Sequence, residues 1–182
     1  KTINDKRFNW CFKTEASENV NNREILFPRG KGLGGSSSIN GHLYVRGQQD
    51  DYNQWAQLGN IGWGYDDILP YFKKSEFKEN GDEKYRGKSG PLFVSDIVEK
   101  HPLCEEFIES SKEIGVSIQE DYNAGNQEGI FYYQRTIKNG ARFSAYDAFL
   151  KPAMKRKNVE VRTNTTVLKI IFKNKKAIGL LC

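Results

Sequence analysis

Residues 28–47, PRGKGLGGSSSINGHLYVRG, place six glycines in twenty positions, together with three consecutive serines, one asparagine and three Lys or Arg side chains. Glycine lets a ligand press against the main chain and lets the chain reach positive φ. Successive N–H groups in such a loop form a concavity that prefers anions or carbonyl oxygens. Ser36, Ser37 and Ser38 add hydroxyls, and Asn40 can donate and accept at once. A flexible serine–glycine linker is the competing explanation. Linkers carry no anchors, whereas Leu33, Ile39, Leu43, Tyr44 and Val45 are interleaved here. The stretch reads as a loop that cradles a ligand.

Gly30, Gly32 and Gly35 satisfy the G-x-G-x-x-G spacing of a dinucleotide fingerprint, with Asp50 and Asp51 placed as candidate ribose-binding acids. That motif needs a clean strand before it and an amphipathic helix after it. Pro28 interrupts the short apolar run Ile25–Phe27, and Gly41 with β-branched neighbours disfavours a long helix afterwards. A Walker phosphate loop fails too, because Lys31 is followed by Gly rather than Ser or Thr. A nicotinamide-dependent enzyme using these three glycines stays open as an alternative. NADH binding without FAD binding would mark it.

Other chemistry is sparse. Cys11, Cys104 and Cys182 match no metal or redox spacing, and His42 and His101 are too few for a histidine-rich metal site. The net charge of +5 is spread among acids, and even the densest basic run, Lys151 to Arg162, does not amount to a nucleic-acid footprint. No nucleic-acid partner is expected. No apolar run approaches the ~18 residues of a membrane span.

The elements that must position the loop follow from periodicity. Phe8, Trp10 and Phe12 at period two predict a strand or extended arm. Tyr52, Trp55 and Ala56 predict a helix that Gly59 stops; a second helix covers roughly 66–76, with Pro70 near its first turn. Trp55 and Trp63 are expected in the core. The charged, glycine-containing segment 78–90 is the best internal boundary. PLFVS at 91–95 predicts a strand. Pro102 to Ile114 predicts an amphipathic helix that buries Leu103, Phe107, Ile108 and Ile114. Residues 130–137 are strand-like, and Ser144 with Asp147 makes a capping-box start to a helix that Pro152 ends or kinks. Three strands are expected at 159–163, 166–172 and 177–181, the last two joined by a lysine-rich turn.

Arg29 through Asn40, then Tyr44, Gly47 and Asn53, resembles the first signature of the glucose–methanol–choline (GMC) flavin oxidoreductases, with every position filled. DYNQWAQLGNIGWGYDDILPYFKKSE, GPLFVSD, residues 140–144 and NVEVRTNTTVLKIIF are similar to later family segments, in order. The flavour is closest to the animal glucose dehydrogenase (acceptor) branch. The resemblance implies an α/β fold, α+β in its substrate part: the central fragment of a Rossmann-like FAD-binding domain with part of a substrate-binding sheet domain. Residues 1–77 would belong to the FAD-binding domain, 91–157 to the substrate domain, and 158–182 to strands returning to the first.

The same resemblance implies roles. Gly30, Gly32, Leu33, Gly34, Gly35 and Ser36 would line the flavin and its pyrophosphate through the backbone. Asn40, Gly41, His42 and Leu43 would approach the isoalloxazine ring, and the Val167 backbone would meet the adenine. Ile39 stands where some relatives attach the flavin through a histidine, which implies non-covalent FAD. Arg142 and Ser144 match a recurrent family segment, though a helix cap and a buried ion pair explain them as well. The family's ADP-binding fingerprint and its catalytic histidine are expected outside residues 1–182, so no catalytic residue is assigned. The expected activity is hydride transfer from the CH–OH group of an alcohol or sugar, with a quinone or oxygen as electron acceptor. A truncated, non-catalytic paralogue is the alternative. An extracellular location is expected if a signal peptide precedes Lys1.

Overall fold

A computed structural model describes residues 2–182. They form two compact units, one ending at Leu150 and one spanning Lys151–Cys182. In the first unit, β1 (Phe12–Lys13) pairs antiparallel with β2 (Leu26–Phe27), Phe12 facing Phe27. The Trp10 and Phe12 rings stack at 6.0 Å, so the aromatic arm forms with only its last residues in a ladder. The glycine-rich loop follows, closing in a 3₁₀ turn at Gly35–Ser38 before β3 (Leu43–Tyr44).

Helix α1 (Gln49–Gln57) starts where Asp51 Oδ2 accepts from the Gln48 amide at 2.8 Å, and it ends at Gly59, whose φ of 98° disfavours any side chain. Asn53 Oδ1 accepts from the Tyr65 amide at 3.0 Å and so ties α1 to α2 (Tyr65–Ser75). Pro70 is the sixth residue of α2 and so sits in its second turn rather than the first. α2 runs directly into β4 (Glu76–Lys78), which pairs in parallel with β5 (Leu92–Val94). After α3 (Pro102–Glu113), β6 (Gln134–Arg135) pairs with β3, placing Arg135 opposite Leu43. Arg135 also exchanges both backbone hydrogen bonds with Ser95, each 2.8 Å, so it is held on two sides. β7 (Ile137–Lys138) and β8 (Ala141–Arg142) form a hairpin whose Asn139 and Gly140 have φ of 51° and 74°, as a type I′ turn requires.

Few apolar side chains are buried: Tyr65, Val94 and Ala148. The centre is polar instead. Arg86, fully buried, donates to Glu76 through Nε (2.8 Å) and Nη2 (3.1 Å), and through Nη1 to both Asp121 oxygens (2.6 and 2.8 Å) and Gln134 Oε1 (2.7 Å). Glu76 Oε1 also accepts from the Gly87 amide (2.8 Å) and lies 2.6 Å from Arg46 Nη2, an ion pair without hydrogen-bond alignment. Asn123 bridges Gln134 and the Tyr44 carbonyl, and its Oδ1 accepts from the Arg46 amide at 2.8 Å. The segment 78–90 thus wraps a buried guanidinium, with Gly87 and Gly90 packed so closely on the Glu76 region that neither tolerates a Cβ.

The second unit is a hairpin of β9 (Lys169–Lys173) and β10 (Lys176–Leu181), turned by Asn174 and Lys175 at φ of 49° and 63°. Three sequence expectations need correction. Residues 159–163 form no strand, since no ladder partner reaches them. The stripe on α3 is not buried: Leu103, Phe107 and Ile114 are about three-quarters exposed, at 72%, 67% and 81%. Trp55 and Trp63 are exposed and meet edge to face at 5.9 Å beside a hollow of about 530 Å³, because α1 and α2 pack through Tyr52 and Phe72 instead.

Removing one partner of a buried ion pair strands the other charge, at a cost of about 3–5 kcal/mol. Glu76→Gln should lower the unfolding free energy by about that amount in urea titrations; a loss below about 1 kcal/mol, the scale of an exposed pair, would refute the network's importance. Burial raises the Glu76 pKa, but the Arg86 hydrogen bonds and the Arg46 charge outweigh it and leave it below the ordinary value. Its stabilisation is therefore complete above about pH 4.3 and is lost as pH falls through the folded value. Wild-type stability should drop on acidification there, and Glu76→Gln should lose that part of the slope.

Candidate functional site: the glycine-rich loop

Close packing against its own chain fixes the start of the loop. The Lys31 amide donates to the Phe8 carbonyl (2.8 Å) and the Trp10 amide to the Arg29 carbonyl (2.9 Å). Buried Asn9 accepts from the Arg29 amide at 2.9 Å. Gly30 donates to Ser36 Oγ (3.1 Å), and a Cβ at Gly30 would overlap the Gly35 carbonyl. The loop folds back on itself only because that side chain is absent.

Between those anchors the main chain is bare. Gly32 and Gly34 adopt φ of 139° and 84°. Among the described residues, the amides of Gly32, Leu33 and Gly34 reach no acceptor. A Cβ at Gly32 or Gly35 would meet nothing within 4 Å, so the backbone there faces open space. Three successive N–H donors without an acceptor suit an anion or a carbonyl oxygen; the backbone is open at Gly32, whereas at Gly34 a Cβ would meet Ser38 Oγ at 2.5 Å. Ser36 Oγ is engaged with Gly30, Ser37 Oγ with the Gly34 carbonyl (2.5 Å) and Ser38 Oγ with the Leu33 carbonyl (2.9 Å). The serines therefore shape the loop rather than lead its binding face.

Arg142 closes the far end. Its Nη1 donates to the Ser37 carbonyl (3.0 Å) and Asn40 Oδ1 (2.7 Å), and its Nη2 to the Asn40 carbonyl (2.7 Å). The Ala145 amide donates to Ser37 Oγ (2.9 Å), and Ser144 caps the following turn through Asp147 Oδ2 at 2.6 Å. The cap is thus present, but among the described residues Arg142 forms no ion pair; its hydrogen-bond partners there are neutral oxygens. Asn40 Oδ1 also accepts from the His42 amide (3.0 Å), and His42 takes a left-handed φ of 48°. The His42 carbonyl accepts from the Thr136 amide at 2.8 Å. Its Nδ1 is buried with no partner among the described residues, and burial, then Arg142, then Arg135 push the imidazole pKa down.

The loop residues 30–43 singled out from sequence therefore lie together in the first unit. Gly41 is exposed between the Asn40 and His42 anchors, and Leu43 borders a mostly apolar groove of about 550 Å³ with Arg135, Phe107 and Tyr133. Val167 lies in the second unit, half-exposed, just ahead of β9. Sequence reasoning missed Arg135 and the Asn9 anchor. The Asn139-Gly140 pair, which aims Arg142 at the loop, was a readable hairpin signal.

A glycine-rich loop with unpartnered amides, set in a mixed helix-and-strand scaffold, is the feature that the comparisons with known proteins bear on. The chain belongs to the GMC oxidoreductase family, whose model matches residues 12–182. Its mixed architecture is that of part of the family's FAD-binding fold. It is 47% identical over 174 residues to oxygen-dependent choline dehydrogenase of Rhizobium meliloti (strain 1021), and 44% identical over 178 residues to that of Brucella anthropi, covering 96% and 98% of the chain. It spans about a third (32%) of the length of these curated relatives. Among solved structures it is similar to pyridoxine 4-oxidase from Mesorbium loti (TM-score 0.88, 31% identity, 95% of this chain and 35% of that one). It is also similar to an FAD-dependent oxidoreductase from Chaetomium thermophilum (TM-score 0.86, 30% identity, 95% and 32%). The relatives are choline dehydrogenases, so the expected glucose dehydrogenase branch finds no support in them.

Hydrogen bonds from a charged donor contribute about 1.5–3 kcal/mol each. Arg142→Ala should release the Ser37 and Asn40 oxygens and speed amide exchange at 37–42 severalfold. Arg142→Lys should restore only part of the protection, because an ammonium cannot reproduce the fork. Unchanged exchange in Arg142→Ala would show that the loop holds itself.

Proposed function

We propose that this chain is a central part of an FAD-dependent oxidoreductase that oxidises the CH–OH group of a small alcohol, with residues 30–43 as the flavin cradle. The observation that carries this is the run of unpartnered amides at Gly32, Leu33 and Gly34, with open space beside the backbone at Gly32 and Gly35. Such donors suit phosphate or flavin carbonyl oxygens. Gly30, Gly34 and Gly35 let the loop take this shape; Ser36 and Asn40 hold it; Gly41, His42 and Leu43 present their edge to the ring. In sequence, segment 78–90 is the boundary between the FAD-binding part (1–77) and the substrate part (91–157). FAD is held non-covalently, since Ile39 offers no nucleophile. Bound FAD supplies the redox chemistry, and the protein binds, orients and tunes it. The loop's tasks are to fix the ring and keep water from the amides. The base that removes the hydroxyl proton comes from outside these residues.

The relatives' names favour an amino alcohol of the choline type over a sugar as substrate. Oxygen or a quinone serves as the final acceptor.

The test is FAD titration of the full-length protein, wild type and Gly35→Ala. Gly35 has free space around it, so Ala should cost only the left-handed strain of about 1–2 kcal/mol yet place a methyl on the binding face. We expect saturable one-to-one binding, weakened at least tenfold by the substitution, and turnover of choline in preference to glucose. Equal FAD affinity in both proteins would remove the loop from the flavin site.

A further inference from the structure

The buried and half-buried arginines of the first unit fall into two groups. Arg46 and Arg86 are neutralised in the polar core by Glu76 and Asp121. Arg135 and Arg142, which flank His42, are not: among the described residues neither forms an ion pair. Arg142 is spent on the neutral oxygens of Ser37 and Asn40. Arg135 Nε is buried and has no acceptor at all. The Arg142 guanidinium is fixed by its fork on the loop, and the Arg135 backbone is held by Ser95 and by its register opposite Leu43, which puts its side chain in the lining of the groove that Leu43 borders.

An uncompensated guanidinium held near low-dielectric surroundings is costly unless an anion or an electron-rich ligand completes it. Here Arg142 bonds to Asn40, and Arg135 pairs with Leu43 across the strands and lines the same groove, so both stand beside the stretch Asn40–Leu43. The unpartnered Nδ1 of His42 marks the same place, and burial, then Arg142, then Arg135 disfavour a positive charge on its imidazole.

We propose that Arg135, together with Arg142, supplies a fixed positive field at residues 40–43 that stabilises the negative charge a bound flavin ring acquires on reduction. This rests on the flavin reading above. Hydride leaves the substrate carbon as an electron pair with its proton and bonds to the oxidised ring. The alcohol is oxidised to the carbonyl compound, its hydroxyl proton going to a base, and the ring gains one negative charge. A cation within a few ångströms favours that charged product over the neutral oxidised ring. Arg135 is the positioning residue that tunes the potential; it need not touch the substrate.

Arg135 is also the better test, because its guanidinium makes no hydrogen bond whose loss would unfold the loop. The experiment uses the full-length protein loaded with FAD and compares wild type, Arg135→Gln and Arg135→Lys. Two readouts are taken: the two-electron reduction potential against reference dyes, and the affinity for sulfite. Sulfite bonds through sulfur to the oxidised ring with no leaving group, and it leaves the ring one negative charge richer. We expect Arg135→Gln to weaken sulfite binding at least tenfold and lower the potential by the corresponding ~30 mV, and Arg135→Lys to stay near wild type. Unchanged potential and sulfite affinity in Arg135→Gln, with FAD still bound, would overturn the field while leaving the cradle intact. Equal losses in Gln and Lys variants would also overturn it, because charge would then not be the agent. Failure of the wild-type protein to bind FAD would overturn the flavin reading itself.

Discussion

The fold of the first unit depends on one buried guanidinium. Arg86 satisfies Glu76, Asp121 and Gln134 at once, and through them it joins β4, the turn at 78–90, the segment around 121–123 and β6. With so few buried apolar side chains, shape complementarity alone would not fix how these pieces meet. Directional, charge-assisted hydrogen bonds do. Arg46 extends the network from Glu76 to the end of β3, and Asn123 hands it on to the Tyr44 carbonyl. Burial, with the nearby Glu76 charge adding to it, pushes the Tyr44 hydroxyl up to about 12, so the ring stays neutral beside these charges. The strand that leaves the glycine-rich loop is thus bolted to the centre of the molecule.

The loop is held from both ends but not in the middle. Asn9 and the Phe8 carbonyl fix its entrance, Arg142 fixes its exit, and the serines between them bond back to their own turn. The amides at 32–34 are three successive donors that this frame leaves without an acceptor. A rigid frame with a short uncovered stretch is what preorganised binding requires, since the ligand need not order the chain it meets.

Legibility in the sequence followed the range of the interactions. α1, the turn glycine after it, and the Ser144–Asp147 cap depend on residues a few positions apart and could be read directly. So could the loop, whose glycines have no use in ordinary secondary structure. Arg86 could not: in the run KENGDEKYRGK it looks like one more solvated charge, and its partners stand 10, 35 and 48 residues away. The stripe Leu103, Phe107, Ile114 is amphipathic by spacing, yet periodicity says only that a helix has an apolar face, not what covers it. Residues 159–163 show the same limit for strands, because β-branched alternation creates no ladder without a neighbour. Arg135 was invisible for a further reason: its significance lies in lacking a carboxylate, and sequence reports residues rather than missing partners.

The central claim is that the uncovered amides receive the flavin. The direct measurement is hydrogen exchange in the full-length protein, with and without FAD, read at Gly32, Leu33 and Gly34. We predict that FAD protects these three amides strongly while leaving the already bonded Ser37 and Ile39 amides little changed. FAD binding that leaves exchange at 32–34 untouched would contradict the account.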